Sequence, residues 1–332
     1  MRATAIGIDI GGTYTKFGLS DVEGNVLMEG SIPTYIHVEI KPFLDALSQA
    51  INEGLDQIEE SFEILGIGIG APNGNYYKGT IEHAPNLNWK GIVPFIDMFK
   101  SYYDLPMVMT NDANAAAIGE KVFGGAKDMN DFIVVTLGTG LGSGLVTRGK
   151  LIYGHDGLAG ELGHTNVYPD GRECNCGKRG CLETYASASG IKRTVFKFLA
   201  TNNVDTPLRS YTYESLTAKK ITEMALAGDP IALEAYQYTS DLLGLKLADA
   251  AAVTSPEAIF LFGGLAKAGD ILINPTIKSF NDYLYPGYKG KIKIKLSELM
   301  DKNAAVLGAS ALVWSEIVHS EAIQVPQQAR AI

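Results

Sequence analysis

Every cysteine of the chain falls inside eight consecutive residues: Cys174, Cys176 and Cys181, with His164 ten positions before the first. The set reads H-x9-C-x-C-x4-C. Three potential thiolates and one imidazole are the soft and borderline ligands that suit four-coordinate Zn²⁺. Gly177 and Gly180 stand beside the sulfurs, where a tight turn must bring backbone amides close to a metal. Three unrelated buried cysteines, or one disulfide with a thiol left over, are the bland alternatives. Clustering this tight in so long a chain favours a structural zinc loop. The loop is flanked by carboxylates. Glu161 precedes His164 by three residues, and Glu183 follows Cys181 by two. Carboxylates held on a pinned loop can accept hydrogen bonds from several hydroxyls, as a sugar site requires; two solvated glutamates would look the same in sequence.

The 332 residues, 46% hydrophobic, can bury a large core and predict two domains. The formal net charge of −9 is spread along the chain, which argues against nucleic acid or an anionic membrane surface as partner. Asp9 comes too early for a secretory apolar core, and no window approaches a membrane span. Unpaired thiols without a targeting segment point to the cytoplasm.

Residues 5–10, 15–20 and 25–31 read as three consecutive strands, most simply a meander, with Gly11-Gly12-Thr13 at the first turn. A helical stripe over 41–60 follows, then a strand over 64–70 and a Pro/Gly/Asn-rich loop to Trp89. A helix over 93–103, a strand over 106–110 and an Ala-rich helix starting near Asn111-Asp112 come next. The pattern then restarts: strand 131–137, turn Gly138-Thr139-Gly140-Leu141-Gly142, strand 143–147. This weak internal duplication fits two lobes of related architecture. Beyond the cysteines, helices are expected at 183–200, 217–227, 230–253, 265–284 and 303–318, and strands at 258–262 and 291–296. Residues 201–215 read as a surface loop, and the tail from Ile323 as frayed.

Glycines let main-chain amides approach an anion, and threonine hydroxyls add donors, so both Gly/Thr hairpin tips suit phosphate. Gly138–Gly142 is not a dinucleotide loop, because strand rather than helix follows it, and no GxxxxGK[ST] exists. Gly263-Gly264, between a strand and a helix, is a third such turn. Asp9 beside the first tip could hold Mg²⁺ through water, or simply shape the turn.

DIGGTYTKFGL, NDANAAAIGE, LGTGLGSGL, GLAGELGH, CNCGKRGCLETYAS and LFGGLAKAG together resemble the ROK family, bacterial sugar kinases and related repressors. The resemblance runs from about Ala5 to about Trp314 and is most similar to the family's glucokinases. It implies an α/β, two-lobed actin/hexokinase-like ATPase fold of the ribonuclease H-like type, with a zinc-binding loop. Residues 1–115, joined by 303–332, would form the small lobe and 116–302 the large one. The resemblance makes Asp112 the catalytic base; an aspartate so placed could also merely cap the helix. It assigns Gly74, Asn86, Asn111, Asp112, Glu161, His164 and Glu183 to the sugar. Asp9, Gly11, Gly12, Thr13, Thr15, Lys16, Gly138, Thr139 and Gly140 would serve ATP and its Mg²⁺, with Gly263 and Gly264 against adenosine. His164, Cys174, Cys176 and Cys181 would hold zinc, His164 using its second nitrogen on the sugar. A homodimer is implied as well.

Three departures bear on the substrate. Asn73 stands where the family has glycine, and Tyr76 and Tyr77 follow; these are expected to face the region that reads sugar substituents. Ser143 replaces a common glycine and should be tolerated. The reading is therefore ATP-dependent phosphorylation of a hexose, glucose first, with N-acetylmannosamine, N-acetylglucosamine or fructose as alternatives. The family's repressors carry an N-terminal helix-turn-helix, for which a first strand at Ala5 leaves no room; a non-catalytic sugar sensor is the remaining alternative.

Overall fold

The structure, a computed structural model, describes residues 1–300 and 303–318. The tail from Ile323, and the part of the expected C-terminal segment beyond Val318, lie outside the described residues. The chain divides into two compact units. One takes Met1–Asp128, Leu151–Ala159 and the C-terminal helix; the other takes Met129–Lys150 and Gly160–Met300.

The first unit is built on strands β1 (Arg2–Ile10), β2 (Tyr14–Asp21), β3 (Val26–Pro33), β4 (Phe62–Gly70) and, later, Met107–Thr110. Strands β3, β2 and β1 form the expected antiparallel meander; β4 and then Met107–Thr110 add in parallel. Helix α1 (Ile40–Leu55) covers one face with the stripe Phe43, Leu44, Leu47 and Ile51, all at most 1% exposed, as its 3.6-residue period dictates. It stops at Leu55, short of residue 60. The loop after β4 is more ordered than its composition suggests. It holds a small sheet of β5 (Gly74–Asn75), β6 (Thr80–Glu82) and β7 (Ile92–Val93), and the helix after it, α2, is only Phe95–Phe99. The parallel strand Met107–Thr110 is β8, followed by α3 (Asp112–Phe123), which lies wholly in this unit.

The other face is covered by the last helix of the sequence, Ala304–Leu312, whose backbone rests directly on the sheet. A Cβ at Gly68 would overlap the Ala309 carbonyl, and one at Gly7 the Val306 carbonyl. Bare glycines in β1 and β4 therefore admit this helix. The buried Ser20 hydroxyl donates to Ser310 Oγ at 2.7 Å, fixing its register.

The second unit repeats the plan. Strands β9 (Phe132–Leu137) and β10 (Leu141–Thr147) pair antiparallel; β12 (Ala258–Phe262) and β13 (Lys293–Leu296) add parallel, with β11 (Lys150–Leu151) at the edge. Strand order β11-β10-β9-β12-β13 matches β3-β2-β1-β4-β8 position for position, so the weak duplication in sequence is a full duplication of topology. Helices α4 (Ala188–Thr201), α5 (Ala218–Leu226), α6 (Pro230–Thr254) and α7 (Asp270–Tyr283) pack on this sheet around Tyr236, Leu243, Leu247 and Phe280. Two start later than expected. Helix α4 waits for Ser187, whose side chain accepts the Gly190 N–H as N-cap. Helix α7 waits for Gly269, which at φ +59° breaks a single turn over Ala266–Ala268 from the helix proper. The C-terminal helix is α8 (Ala304–Leu312), continued by a π turn, Val313–Val318.

Candidate active site

In a parallel α/β sheet, ligands collect beyond the carboxyl ends of the strands. In the first unit β1 ends at Asp9 and Ile10, β4 at Gly70 and β8 at Thr110. Asn111 and Asp112 follow β8 directly. The helix cap is Asn111, not Asp112: Asn111 Oδ1 accepts the Asn114 N–H at 2.7 Å. Asp112 occupies the first helical position, its Oδ1 taking only the Ala113 N–H at 2.9 Å. The capping explanation for Asp112 therefore falls away, and its carboxylate keeps lone pairs for other work. Desolvation raises the Asp112 pKa. The residue is nonetheless exposed, so its carboxylate remains open to solvent. Asp9 is pushed up to about 7, by burial first and the Asp112 charge second, with Lys16 pulling it back.

The first Gly/Thr turn closes with Gly11 N–H donating to Tyr14 O at 3.1 Å. A Cβ at Gly12 would lie 2.7 Å from the Asn86 carbonyl, so this turn packs against Asn86 of the long loop after β4. Gly74 packs its Cα against the Thr110 carbonyl, next to Asn111. Thr13 is exposed at the tip, and its carbonyl accepts Thr34 N–H at 2.8 Å. Thr15 departs from expectation: it is fully buried, and its hydroxyl pairs with that of Thr34 at 2.8 Å. The pleat turns it inward while Lys16 points out.

The substrate-reading departures also resolve differently. Asn73 has φ +52°, a backbone region that favours glycine and tolerates asparagine, and its amide donates to Glu82 O at 3.0 Å. It braces its own loop. Tyr76 stacks on Tyr153 at 3.7 Å and donates to Glu316 at 2.9 Å, while Tyr77 donates to Gly154 O at 2.8 Å. Both hydroxyls are committed within the first unit.

In the second unit Glu161 and His164 flank a single turn, with His164 Nε2 3.9 Å from Glu161 Oε2. A donor and an acceptor at that spacing can bracket one hydroxyl. The other ring nitrogen, Nδ1, lies 3.7 Å from Cys174 Sγ, and Cys176 Sγ lies 3.7 Å from Cys181 Sγ. All four ligand atoms fall within 4.8 Å of one another. Bonds of about 2.3 Å to sulfur and about 2.0 Å to nitrogen, at tetrahedral angles, need edges of roughly 3.5–3.8 Å. The residues fit zinc. The sulfurs are too far apart for a disulfide, which needs about 2.05 Å, and all three cysteines are free. Burial, then the neighbouring thiols, push Cys174 up to about 12; a dication at the centre supplies the charge that reverses this.

Glu183 connects this loop to the second Gly/Thr turn. Its Oε2 accepts the Leu141 N–H at 3.0 Å and its Oε1 lies 3.7 Å from Cys174 Sγ. A Cβ at Gly140 would overlap the same carboxylate. Gly263, at φ +103°, presses on the Leu137 carbonyl, so the turn after β12 lies beside the turn after β9. Around Gly138 and Gly264, by contrast, an added Cβ would meet nothing within 4 Å. Ser143 makes new contacts instead of being merely tolerated: it is buried and donates to Gly160 O, tying β10 to the segment before Glu161.

Two supporting residues escape sequence reasoning. Gly70 lies between Asp9 and Asp112, and its signal is a glycine ending a strand just before Ala71-Pro72. Arg172 sits inside the cysteine loop; an arginine between ligands was its only mark.

The pattern that defines the ROK family matches residues 5–316. A glucokinase of Streptomyces coelicolor is 35% identical over 92% of this chain and 96% of its own length. A xylose repressor of Caldicellulosiruptor bescii is 31% identical, covering 94% of this chain and 78% of the repressor. The crystal structure of a ROK family glucokinase from Streptomyces griseus, in complex with glucose and AMPPNP, superposes with a TM-score of 0.77 at 33% identity, over 93% of this chain and 98% of that one. The family match spans residues of both units, and the chain belongs to the ROK family.

Proposed function

We propose that this protein is an ATP-dependent sugar kinase, with glucose as the favoured acceptor. The observation that carries the reading is Asp112, ionisable, uncommitted to capping and raised in pKa at the carboxyl end of β8. A hydroxyl is a poor nucleophile until a positioned carboxylate takes its proton. In the proposed step Asp112 accepts the proton of the acceptor hydroxyl as that oxygen bonds to the γ-phosphorus. The β,γ-bridging P–O bond breaks and ADP leaves with the electron pair. Asn111 retains its amide donors for neighbouring hydroxyls, because only its oxygen is used in the cap. Glu161, His164 Nε2 and Glu183 supply acceptors and a donor for the remaining hydroxyls.

The turns Gly11–Thr13 and Gly138–Gly140 would carry the phosphates on backbone N–H groups. Gly263 and Gly264 would lie along adenosine. When bound, Mg²⁺ would neutralise phosphate charge, with Asp9 and its shell of water holding it. Zinc would serve structure, fixing His164 with Nε2 outward. A homodimer and a cytoplasmic location complete the proposal; light scattering and fractionation test them.

The experiment is ATP-dependent phosphorylation across glucose, mannose, fructose, N-acetylglucosamine and N-acetylmannosamine, with Asp112→Asn alongside. Glucose well ahead, with the variant inactive, supports the proposal. An acetylated sugar ahead keeps the chemistry and replaces the acceptor. Sugar binding without turnover of any acceptor overturns it.

A further inference from the structure

The second Gly/Thr turn has one hydrogen bond of its own, Gly138 N–H to Gly140 O at 3.0 Å, and is otherwise held from outside. Each of its exposed residues is tied to the segment that follows the last cysteine. Ala188 N–H donates to Gly138 O at 2.9 Å, Ser189 Oγ donates to Thr139 O at 2.9 Å, and Leu141 N–H donates to Glu183 Oε2 at 3.0 Å. The stretch 183–189 is thus a splint along the turn 138–141. One residue of the cysteine loop clamps the splint. Arg172 Nη1 donates to Thr184 O at 2.7 Å, near the start of the splint, and to Gly190 O at 3.0 Å, just past its end. Its Nη2 donates to Thr194 Oγ1 at 3.0 Å, and its guanidinium lies 4.4 Å above the Tyr185 ring. The Arg172 backbone N–H donates to the Tyr185 hydroxyl at 2.9 Å.

Among the described residues no carboxylate pairs with Arg172; its donors go to two carbonyls and a hydroxyl. A cation used this way organises backbone rather than balancing charge. Its planar fork reaches both carbonyls through Nη1 and the Thr194 hydroxyl through Nη2 at once, a span that a lysine ammonium, acting as a point, does not match.

We propose that Arg172 is a positioning residue for the nucleotide: by clamping the 183–189 segment to the cysteine loop, it sets the phosphate-binding turn 138–141. The inference rests on the kinase reading above. It makes nucleotide affinity a property of the cysteine loop, transmitted through the splint. Arg172 touches no reacting atom, so its loss acts on binding and not on the chemical step.

The test is calorimetric titration of AMPPNP with Mg²⁺ into the zinc-replete protein without sugar, comparing the unmodified chain with Arg172→Lys and Ser189→Ala. Arg172→Lys should weaken AMPPNP about tenfold and Ser189→Ala about threefold, the scale of one or two lost hydrogen bonds. Zinc content should stay at the unmodified level, and kcat at saturating ATP should stay within about threefold, the KM-only pattern of lost uniform binding. Both variants binding AMPPNP as the unmodified chain does, with zinc retained, overturns the inference alone. If Arg172→Lys loses zinc or fails to fold, Ser189→Ala decides, since its side chain meets the turn directly. An unmodified chain that binds no AMPPNP overturns the kinase reading and this inference together.

Discussion

Asp9 and Asp112 stand on either side of one bare glycine: a Cβ at Gly70 would lie 3.5 Å from Asp9 Oδ1 and 3.8 Å from Asp112 Cα. The parallel pairing of β4 with both β1 and β8 produces this, since it aligns the ends of three strands. Asp9 consequently feels the charge of Asp112. Both are raised by desolvation, and Asp9 by the Asp112 charge in addition. Such an arrangement is costly for an empty protein and useful for one that binds a cation beside a base.

Asp9→Asn should therefore stabilise the free protein while ending catalysis. Burial and the Asp112 charge push the folded carboxyl up to about 7 from the ordinary 3.8. Between those values the folded state binds more protons than the unfolded state, so this group's stabilising share is complete below pH 4 and lost as pH rises to about 7. At roughly 1.4 kcal/mol per unit the shift would be worth about 4 kcal/mol; partial contact with water reduces this to about 1–2 kcal/mol. Thermal melts at pH 5 and pH 8, without nucleotide, should show a variant advantage that is clearly larger at the higher pH. An equal melting temperature at both would remove Asp9 from the strained pair.

For Asp112 the sign concerns rate. The base works ionised, and its pKa is raised, so kcat/KM should fall on the acid side with an apparent pKa above the ordinary aspartate value of about 3.9. Asp112→Asn should lower kcat by about 10²–10⁴ and abolish that limb. Its melting temperature should hold, because Asn111 keeps the cap. A variant that loses stability in proportion to activity would return Asp112 to a structural role.

The sequence made the periodic parts of this fold legible. Alternation in β1 and β2, the stripe of α1 and the apolar run of β9 each follow from local periodicity, and the cysteine cluster declared its own geometry. What it hid depended on tertiary contact. Nothing local says that α8 lies on β1 and β4; Gly7 and Gly68 looked like ordinary strand glycines until the Val306 and Ala309 carbonyls arrived against them. Tyr76 and Tyr77 looked like pocket residues because their partners, Tyr153 and Glu316, are distant in sequence. Thr15 shares a motif with Thr13 and Lys16, yet the strand pleat turns alternate residues to opposite faces and buries it.

Removing zinc should unfold the site from the loop outward. With His164, Cys174, Cys176 and Cys181 no longer held together, Glu161 and Glu183 lose their fixed ends. Chelation should release one equivalent of metal and lower stability by several kcal/mol, roughly 5–10 °C in melting temperature. Added Zn²⁺ should restore it. A protein that carries no zinc as purified and ignores the chelator would contradict the metal assignment.

Glycines of two kinds should respond oppositely to alanine. Gly68→Ala drives a methyl into the Ala309 carbonyl, and such overpacking costs about 1–3 kcal/mol or more. Gly138 and Gly264 have open space where a Cβ would go, and neither has a positive φ. Nothing in the protein requires them to be glycine. Alanine there should leave stability unchanged or raise it by about 0.4–1 kcal/mol through the unfolded chain. If nucleotide fills that space, the same substitutions should raise the KM for ATP at least about tenfold, with the sugar KM little moved, because the methyl occupies volume that phosphate and adenosine need. Measuring melting temperature and both KM values for the three variants separates packing glycines from binding ones. ATP kinetics unaffected by Gly138→Ala and Gly264→Ala would move the nucleotide off these turns.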